Sequence, residues 1–158
     1  MKKLESWKQH SGWNNGFYDR AIALKKLYKD IMGNYIGDVS DIGCGTKKLK
    51  EILPHRSYTG YDLIGDPDVK IDINKLVLKN ADIIIGLGIL EYINATEFLD
   101  NHLDTCNLLI CSYNTKDKHP NNREANWWIN SYSLEELKNK IGEHREVDGY
   151  DFFIRKNK

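Results

Sequence analysis

Apolar residues along the chain follow two different spacings. Residues 81–87 are almost continuously apolar, which is typical of a central parallel strand covered on both faces. Between residues 15 and 31, apolar side chains recur every three or four positions, as they do on one face of a helix, and Gly33 ends this pattern. Because strand and helix patterns alternate along the chain, they predict an α/β fold with a mostly parallel sheet.

The same patterns predict the individual elements. Strands are expected at residues 38–42, 57–61, 68–71, 81–87 and 107–112, and two short strands are expected around Asp148-Gly149, a dipeptide suited to a type I′ hairpin turn. Helices are expected at residues 15–31, 47–53, 95–103 and 133–141, the last opened by a capping box of Ser133 and Glu136. The final hairpin predicts one antiparallel strand at the C-terminal end of the sheet.

Composition indicates a single soluble domain of 158 residues, with 41% hydrophobic and 29% charged residues. No apolar run reaches the roughly 18 residues of a membrane span, and the N-terminus lacks the apolar core of a signal peptide. Cys44, Cys106 and Cys111 are an odd number without a CxxC pair, which favours reduced thiols. We therefore expect a cytoplasmic protein, and the richness in Lys, Asn and Ile suggests an AT-rich, bacterial genome.

Charge bears on the partners. The chain has 23 Lys and Arg residues and 23 Asp and Glu residues, so its formal net charge is zero. Nucleic-acid binders usually carry a basic excess because they neutralise phosphates. A nucleic-acid partner is therefore not expected, nor is a membrane, and a small-molecule substrate is favoured. A partner protein or a homodimer stays open.

Two glycines and an aspartate give the strongest chemical signal. Gly43 and Gly45 follow the first predicted strand, and Asp62 ends the second strand 19 residues after Gly43. Such glycines let a ligand approach the backbone and present N–H groups to it, and such a carboxylate accepts hydrogen bonds from both ribose hydroxyls of an adenine nucleoside. The charge of Asp62 would also repel a 2′-phosphate.

Four segments resemble motifs of the class I S-adenosylmethionine (SAM)-dependent methyltransferases. Residues 41–46 are similar to the first motif, residues 61–63 to the acidic motif after the second strand, residues 71–73 to the segment beside adenine, and residues 87–93 to a run that many members write as gvLEHi. The resemblance covers nearly the whole chain. It implies a Rossmann-like, doubly wound, mostly parallel seven-stranded sheet with an antiparallel C-terminal strand, SAM as cofactor and S-adenosylhomocysteine (SAH) as product.

The resemblance also implies which residues contact the cofactor: Asp41, Gly43, Cys44, Gly45, Asp62, Leu63, Asp72, Ile73, Leu87, Gly88 and Tyr18. For Asp41, a contact with the cofactor ammonium and a role in holding the turn are both open. For Cys44, a small side chain that simply fits is the favoured interpretation. Tyr18 belongs, with Trp7 and Trp13, to an aromatic arm that in related enzymes closes over the cofactor, although packing of the first helix is the competing account.

Two departures from the family pattern concern binding and catalysis. Lys47 stands where a third glycine often follows, and Tyr92 replaces the usual histidine of the LEH run. Candidate catalytic residues are therefore Tyr92 and His119, each with an alternative role in packing or on the surface. No metal site is expected.

The substrate side is expected in the loop after the fifth strand, because functional loops cluster at the carboxyl ends of strands in open sheets. Tyr113, Asn114, Trp127 and Trp128 are the predicted contacts, with anchoring of the loop onto the core as the alternative for the tryptophans. The domain then divides into an N-terminal arm and helix (1–33), a cofactor-binding core (37–112), this loop (113–132), and a last helix with its hairpin (133–158).

The expected reaction is an in-line displacement that moves a methyl group from SAM to a small-molecule acceptor, such as a sugar or another metabolite. Such a transfer needs alignment and exclusion of water more than a strong base. The chain lacks the Asn/Asp-Pro-Pro-aromatic tetrad that marks amino-methylation of DNA bases. A non-catalytic, degenerate interaction module is the main alternative. An NAD-dependent oxidoreductase is less favoured, since Lys47 breaks the GxGxxG pattern.

Overall fold

The structure is a computed structural model that describes residues 11–121 and 128–157, and for residues 11–17 the backbone alone. Its helices are α1 (Ser11–Met32), α2 (Lys48–Ile52), α3 (Ala95–His102) and α4 (Leu134–Lys140), and a 3₁₀ turn covers Ile73–Lys75. Its strands are β1 (Asp38–Ile42), β2 (Ser57–Asp62), β3 (Val69–Lys70), β4 (Ile83–Leu87), β5 (Leu108–Ser112), β6 (Glu143–Val147) and β7 (Tyr150–Lys156). Within these residues, no helix is both long and apolar enough to cross a membrane.

The seven strands form one sheet in the order β3-β2-β1-β4-β5-β7-β6. Neighbours from β3 to β5 pair in parallel, whereas β7 pairs antiparallel with both β5 and β6. The predicted architecture, a mostly parallel seven-stranded sheet with an antiparallel C-terminal strand, is confirmed.

Helices cover both faces of the sheet, as the apolar run in β4 predicts. Ile83 and Ile85 pack with α1 and α2 on one face, whereas Ile84 packs with α3 and α4 on the other, and all three side chains are fully buried. Successive strand residues point to opposite faces, so a strand covered on both sides needs apolar residues at every position. The sheet is therefore doubly wound.

Local signals in the sequence set the ends of the elements. Gly33 ends α1 in a left-handed conformation (φ 58°), and its N–H donates to the Lys29 carbonyl (2.8 Å). The predicted capping box of Ser133 and Glu136 is present at α4. Both residues of Asp148-Gly149 have positive φ (52° and 83°), as a type I′ hairpin requires.

Most elements differ from the prediction by one or two residues at an end, and two of the differences bear on the site. Helix α1 begins at Ser11 rather than at residue 15. Strand β3 has two residues rather than four, because Asp72 caps the 3₁₀ turn directly behind it, its carboxylate accepting the N–H of Asn74 (3.0 Å).

The order of the strands locates a crevice. From β1 the chain passes to β2 on one side, and it later returns to place β4 on the other side of β1. In open α/β sheets, ligands bind beyond the carboxyl ends of the strands where the order reverses in this way. The crevice between the ends of β1 and β4 is therefore where a ligand site is expected.

The fold also generates a prediction on pH and stability from His102, which is fully buried. Its Nδ1–H donates to the Phe98 carbonyl (2.7 Å), and its Nε2 accepts the Leu78 N–H (2.9 Å), so the folded protein needs the neutral ring. Burial lowers the pKa of His102. We expect the free energy of unfolding to fall as the pH drops below about 6.5, where the unfolded chain takes up a proton that the folded ring resists.

The test is urea unfolding of the wild type and of His102→Gln at about pH 7.5 and about pH 5.5. The variant should be less stable by about 1 kcal/mol at the higher pH, because it loses a buried hydrogen bond, and its stability should fall less between the two pH values. An equal fall in both proteins would contradict the assignment.

Candidate functional site

The turn after β1 has the left-handed backbone of the predicted glycine motif. Gly43 and Gly45 have φ values of 73° and 53°. A Cβ on Gly43 would lie 2.9 Å from Cδ1 of Ile89, so this position has neither the conformation nor the space for a side chain. Lys47 keeps the left-handed conformation (φ 58°) although it is not glycine, and its ammonium lies 3.1 Å from Asp68.

The N–H groups of this turn are used inside the protein. Those of Gly43 and Cys44 both donate to the Tyr61 carbonyl (2.8 and 3.2 Å), and that of Gly45 donates to Asp62 Oδ2 (2.8 Å). The expectation that Gly43 and Gly45 present N–H groups to a ligand is therefore wrong. A ligand can approach the backbone closely at this turn, but these N–H groups are not free to donate to it.

Asp62 holds the ends of two strands together. Its carboxylate accepts the N–H groups of Gly45 (2.8 Å), Leu63 (2.7 Å) and Ile64 (3.3 Å), and only 7% of the residue is exposed. A carboxylate has about four acceptor positions, so about one is left on Oδ2. This leaves room for one ribose hydroxyl rather than the two that the sequence predicts.

Asp41 lies below the turn and is 1% exposed. One of its oxygens accepts the hydroxyl of Tyr58, and the other has no hydrogen-bond partner among the described residues. Burial raises the pKa of Asp41 to about 7, against the effect of the Tyr58 hydrogen bond, and the charge of Asp62 adds to the rise. Two roles were predicted for Asp41, a contact with the cofactor ammonium and a bond that holds the turn. Its hydrogen bond in the structure goes to Tyr58 rather than to the turn.

Cys44 fills space beneath the same turn. It is fully buried, burial raises the pKa of its thiol, and a Cβ added to Gly60 would lie 2.7 Å from its Sγ. The prediction of Cys44 as a cofactor contact is corrected for its side chain, which packs against Gly60 instead.

The predicted adenine segment lies beside the end of β2. The N–H of Ile71 donates to the Asp62 carbonyl (2.9 Å), which places residues 71–73 next to that strand end. Ile73 is buried, Leu63 is half-buried, and Asp72 is engaged as the cap of the 3₁₀ turn. The structure thus brings these predicted residues together around one end of the crevice.

At the other end of the crevice, Gly88 follows β4 in a left-handed conformation (φ 65°), with its N–H donating to Ser112 Oγ (2.9 Å). Leu87, just before it, is 3% exposed. A guanidinium nitrogen of Arg20 lies directly over Gly88, 2.0 Å from where a Cβ would be. Sequence reasoning missed Arg20 and chose Tyr18 on the same helix, which is 46% exposed.

Glu91 is a fully buried carboxyl group after β4. One oxygen accepts both the backbone N–H and the side-chain amide of Asn114 (2.9 Å each), and the other has no hydrogen-bond partner among the described residues. Burial raises the pKa of Glu91. Asn114, predicted as a substrate contact, therefore acts as the partner that positions Glu91.

Three predicted residues meet above the ends of β4 and β5. The Trp128 indole N–H donates to the Tyr92 hydroxyl (3.1 Å), and the ring of His119 meets the Trp128 ring edge-on (6.0 Å between centroids). We call Tyr92, Trp128 and His119 the aromatic wall. Burial lowers the pKa of His119, which favours the neutral imidazole.

The loop that carries Trp128 is anchored next to the wall. The N–H of Ile129 donates to the Glu91 carbonyl (2.8 Å), and the side-chain amide of Asn130 donates to the Ile93 carbonyl (2.7 Å). Residues 129 and 130 therefore anchor the loop together with the Trp128–Tyr92 hydrogen bond, and anchoring stays an alternative role for Trp128.

Tyr113 is a correction. It is 3% exposed and packs in the core, and its hydroxyl accepts the N–H of Tyr132 (3.2 Å), so it is not a substrate contact. Trp127 and Trp7 lie outside the described residues, and Trp13 lies where the backbone alone is described.

Asp62 gives a prediction on stability. Asp62→Ala leaves three N–H groups without their acceptor, two of them buried, and we expect it to lower the free energy of unfolding by about 2 kcal/mol or more. Asp72→Ala, which removes bonds to a single exposed neighbour, should cost about 1 kcal/mol or less. Equal losses in urea unfolding would show that Asp62 does not hold the turn.

Asp41 gives a prediction on pH. Because its folded pKa of about 7 lies above the value of about 4 in an unfolded chain, its contribution to stability is complete below about pH 4 and is lost as the pH rises through about 7. Asp41→Asn should remove this fall, measured by urea unfolding between those pH values.

The matched control is Asp38→Asn on the same strand. Arg56 holds the pKa of Asp38 down to about 2, so this variant should keep the fall between pH 4 and 7. The prediction for Asp41 is contradicted if the wild type and Asp41→Asn change equally in stability between pH 4 and 7.

Comparison with known proteins supports the fold. No protein-family profile matches the chain, and no curated protein sequence matches it. A SAM-dependent methyltransferase, possible histamine N-methyltransferase, from Thermotoga maritima matches with a TM-score of 0.68 at 14% identity, over 96% of this chain and 97% of that one. The DhpI–SAM–HEP complex matches with a TM-score of 0.67 at 13% identity, over 97% and 95%.

A third solved structure is the magnesium protoporphyrin IX methyltransferase ChlM from Synechocystis PCC 6803 with bound SAH. It matches with a TM-score of 0.59 at 15% identity, over 88% of this chain and 81% of that one. At such identities the likeness concerns architecture. The chain has the fold of the class I SAM-dependent methyltransferases.

Proposed function

We propose that this protein binds SAM and transfers its methyl group to a small-molecule acceptor. The observation that carries the proposal is the hydrogen bonding of the crevice. The N–H groups of Gly43, Cys44 and Gly45 are already used, whereas Asp41 and Asp62 each keep acceptor capacity. A ligand that suits this crevice brings positive charge and hydroxyl donors, as SAM does with its ammonium, sulfonium and ribose.

The same observation weighs against a nicotinamide dinucleotide. A pyrophosphate is held by free backbone N–H groups at a glycine turn and at the start of the following helix. Here three N–H groups of the turn donate inside the protein, and α2 is only five residues long.

The residues proposed to hold SAM lie along the crevice from β2 to β4. Asp62 accepts one ribose hydroxyl, residues 71–73 and Leu63 line the adenine, and the turn of Gly43 and Gly45 lets the methionine part approach the backbone. A contact of the second oxygen of Asp41 with the ammonium, directly or through a water, requires the turn above this buried oxygen to open. These roles rest on the positions of the groups and on the resemblance to the family.

SAM supplies an electrophilic methyl group on a sulfonium whose thioether leaves without acid help. The chain's own contribution is to align the acceptor and to exclude water, which can lower a barrier by about 7–11 kcal/mol in favourable cases. Tyr92 and Trp128 form one side of the acceptor space. Where the acceptor loses a proton, the neutral ring of His119 is the proposed base, since it is adjacent to Trp128 and burial lowers its pKa.

A degenerate, non-catalytic module is the alternative that the sequence keeps open. One of its two grounds was Lys47 in place of a glycine, and Lys47 keeps the left-handed backbone with its side chain directed to Asp66 and Asp68. The other ground, Tyr92 in place of a histidine, is met by His119, which the fold brings to the same wall.

The proposal is tested by calorimetric titration with SAM, SAH, NAD and NADP. We expect SAM and SAH to bind and neither dinucleotide to bind measurably. Asp62→Asn, which keeps one acceptor oxygen but loses the charge, should weaken SAH by about tenfold or more. Asp30→Asn is the control for loss of charge, because Asp30 is exposed near the end of α1 that leads into the start of β1.

Binding of NAD without SAM or SAH would overturn the proposal in favour of an oxidoreductase. Turnover is tested separately by following labelled methyl groups from SAM into a small-molecule extract of bacterial cells. Label in that extract is expected of the enzyme, whereas tight SAH binding with no labelled product in any extract would indicate the non-catalytic module.

A further inference from the structure

Arg20 is a half-buried cation that reaches the crevice from outside the sheet. It lies on α1, yet its guanidinium covers Gly88 after β4, where any Cβ would be 2.0 Å from its Nη1. The guanidinium can therefore occupy this position only because residue 88 is a glycine. The contact joins the N-terminal helix to the end of the crevice where the methionine part of SAM is proposed to lie.

The hydrogen-bonding capacity of this guanidinium is unused within the described residues. Arg20 forms no hydrogen bond and no ion pair there, and its guanidinium carbon lies over the face of the Tyr150 ring, 5.5 Å from the ring centroid. Stacking of this kind supports the flat face of the group and leaves its five in-plane N–H donors directed elsewhere. A fixed fork of donors is suited to a carboxylate or phosphate, which it binds through two parallel hydrogen bonds.

The charge of Arg20 has no direct ion pair among the described residues. The neighbouring carboxyl group is that of Glu91, which is fully buried and bonded on one oxygen to Asn114; burial raises the pKa of Glu91, and the charge of Arg20 lowers it. Burial also lowers the pKa of nearby His119, against the effect of Asp151, and the charge of Arg20 adds to the lowering. A half-buried guanidinium whose donors are unpaired is costly, and an anionic ligand would reduce that cost.

We propose that Arg20 forms an oxyanion subsite over Gly88 that takes a carboxylate or phosphate-type group of a ligand in the crevice. This proposal rests on the proposed function, because the oxyanion has two possible origins in a methyl-transfer reaction. The oxyanion is either the α-carboxylate of SAM and SAH or an acid group of the methyl acceptor. Both present the same chemistry to the guanidinium, and ligands that lack one or the other distinguish them.

The experiment compares SAH with 5′-methylthioadenosine, which keeps the nucleoside and the thioether but lacks the amino-acid part. Affinities are measured by calorimetry at constant ionic strength for the wild type, Arg20→Gln and Arg20→Lys. Lys25→Gln is the matched control, because it removes the same charge from an exposed position of the same helix. In a second titration, inorganic phosphate is added to the SAH-saturated wild type and to SAH-saturated Arg20→Gln.

If the oxyanion belongs to the cofactor, Arg20→Gln weakens SAH by about 10- to 100-fold and leaves methylthioadenosine unchanged, with partial recovery in Arg20→Lys. If it belongs to the acceptor, SAH affinity stays the same, and phosphate binds the SAH complex of the wild type but not that of Arg20→Gln. Lys25→Gln should match the wild type in both arms.

The proposal is overturned if Arg20→Gln changes neither SAH nor phosphate binding, or if it weakens SAH and methylthioadenosine equally. Failure of the proposed function is a separate result, namely a wild-type protein that binds no SAH. In that case phosphate titration of the free wild type and of free Arg20→Gln still decides whether Arg20 binds an oxyanion.

Discussion

The crevice depends on one carboxylate that ties two strand ends together. The chain leaves the sheet after β1 and after β2, and at both points backbone N–H groups lose their strand partners. Asp62 accepts the N–H of Gly45 after β1 and those of Leu63 and Ile64 after β2. Because this link is internal, the glycine turn has its shape before any ligand arrives. Because the turn is already ordered, a ligand does not lose binding free energy to ordering it.

Many elements of the fold could be predicted because they depend on patterns of residues that are close together in the sequence. An uninterrupted apolar run identifies β4 as a strand buried on both faces, and the capping box of Ser133 sets the start of α4. The hairpin turn at Asp148-Gly149 is likewise a property of two adjacent residues. The strand order was not predicted, because pairing between distant strands leaves no comparable local signal.

The candidate site was predictable in its location but only partly in its chemistry. The sequence identified the turn, the second-strand acid and, separately, the three residues of the aromatic wall, yet it could not show that these three meet or that the N–H groups of the turn are already used. That depends on the Tyr61 carbonyl, which reaches the turn only in the folded sheet. Arg20 was missed because an arginine on an amphipathic helix ordinarily faces solvent. Tyr113 was misplaced because a tyrosine beside a loop looks the same whether it lines a pocket or packs below it.

Lys47 has a consequence for how proteins of this kind are detected. A third glycine often follows in the family pattern, whereas this chain keeps a left-handed backbone at that position with a lysine. Lysine adopts it here with its ammonium held between Asp66 and Asp68, both contributed by the next loop. The third glycine is thus replaced by Lys47 together with two aspartates that lie about 20 residues further along the chain. A search for a short continuous motif does not detect residues that are so far apart. Sequences without the third glycine can therefore still form this turn, and a comparison of structures identifies them where a comparison of sequence motifs does not.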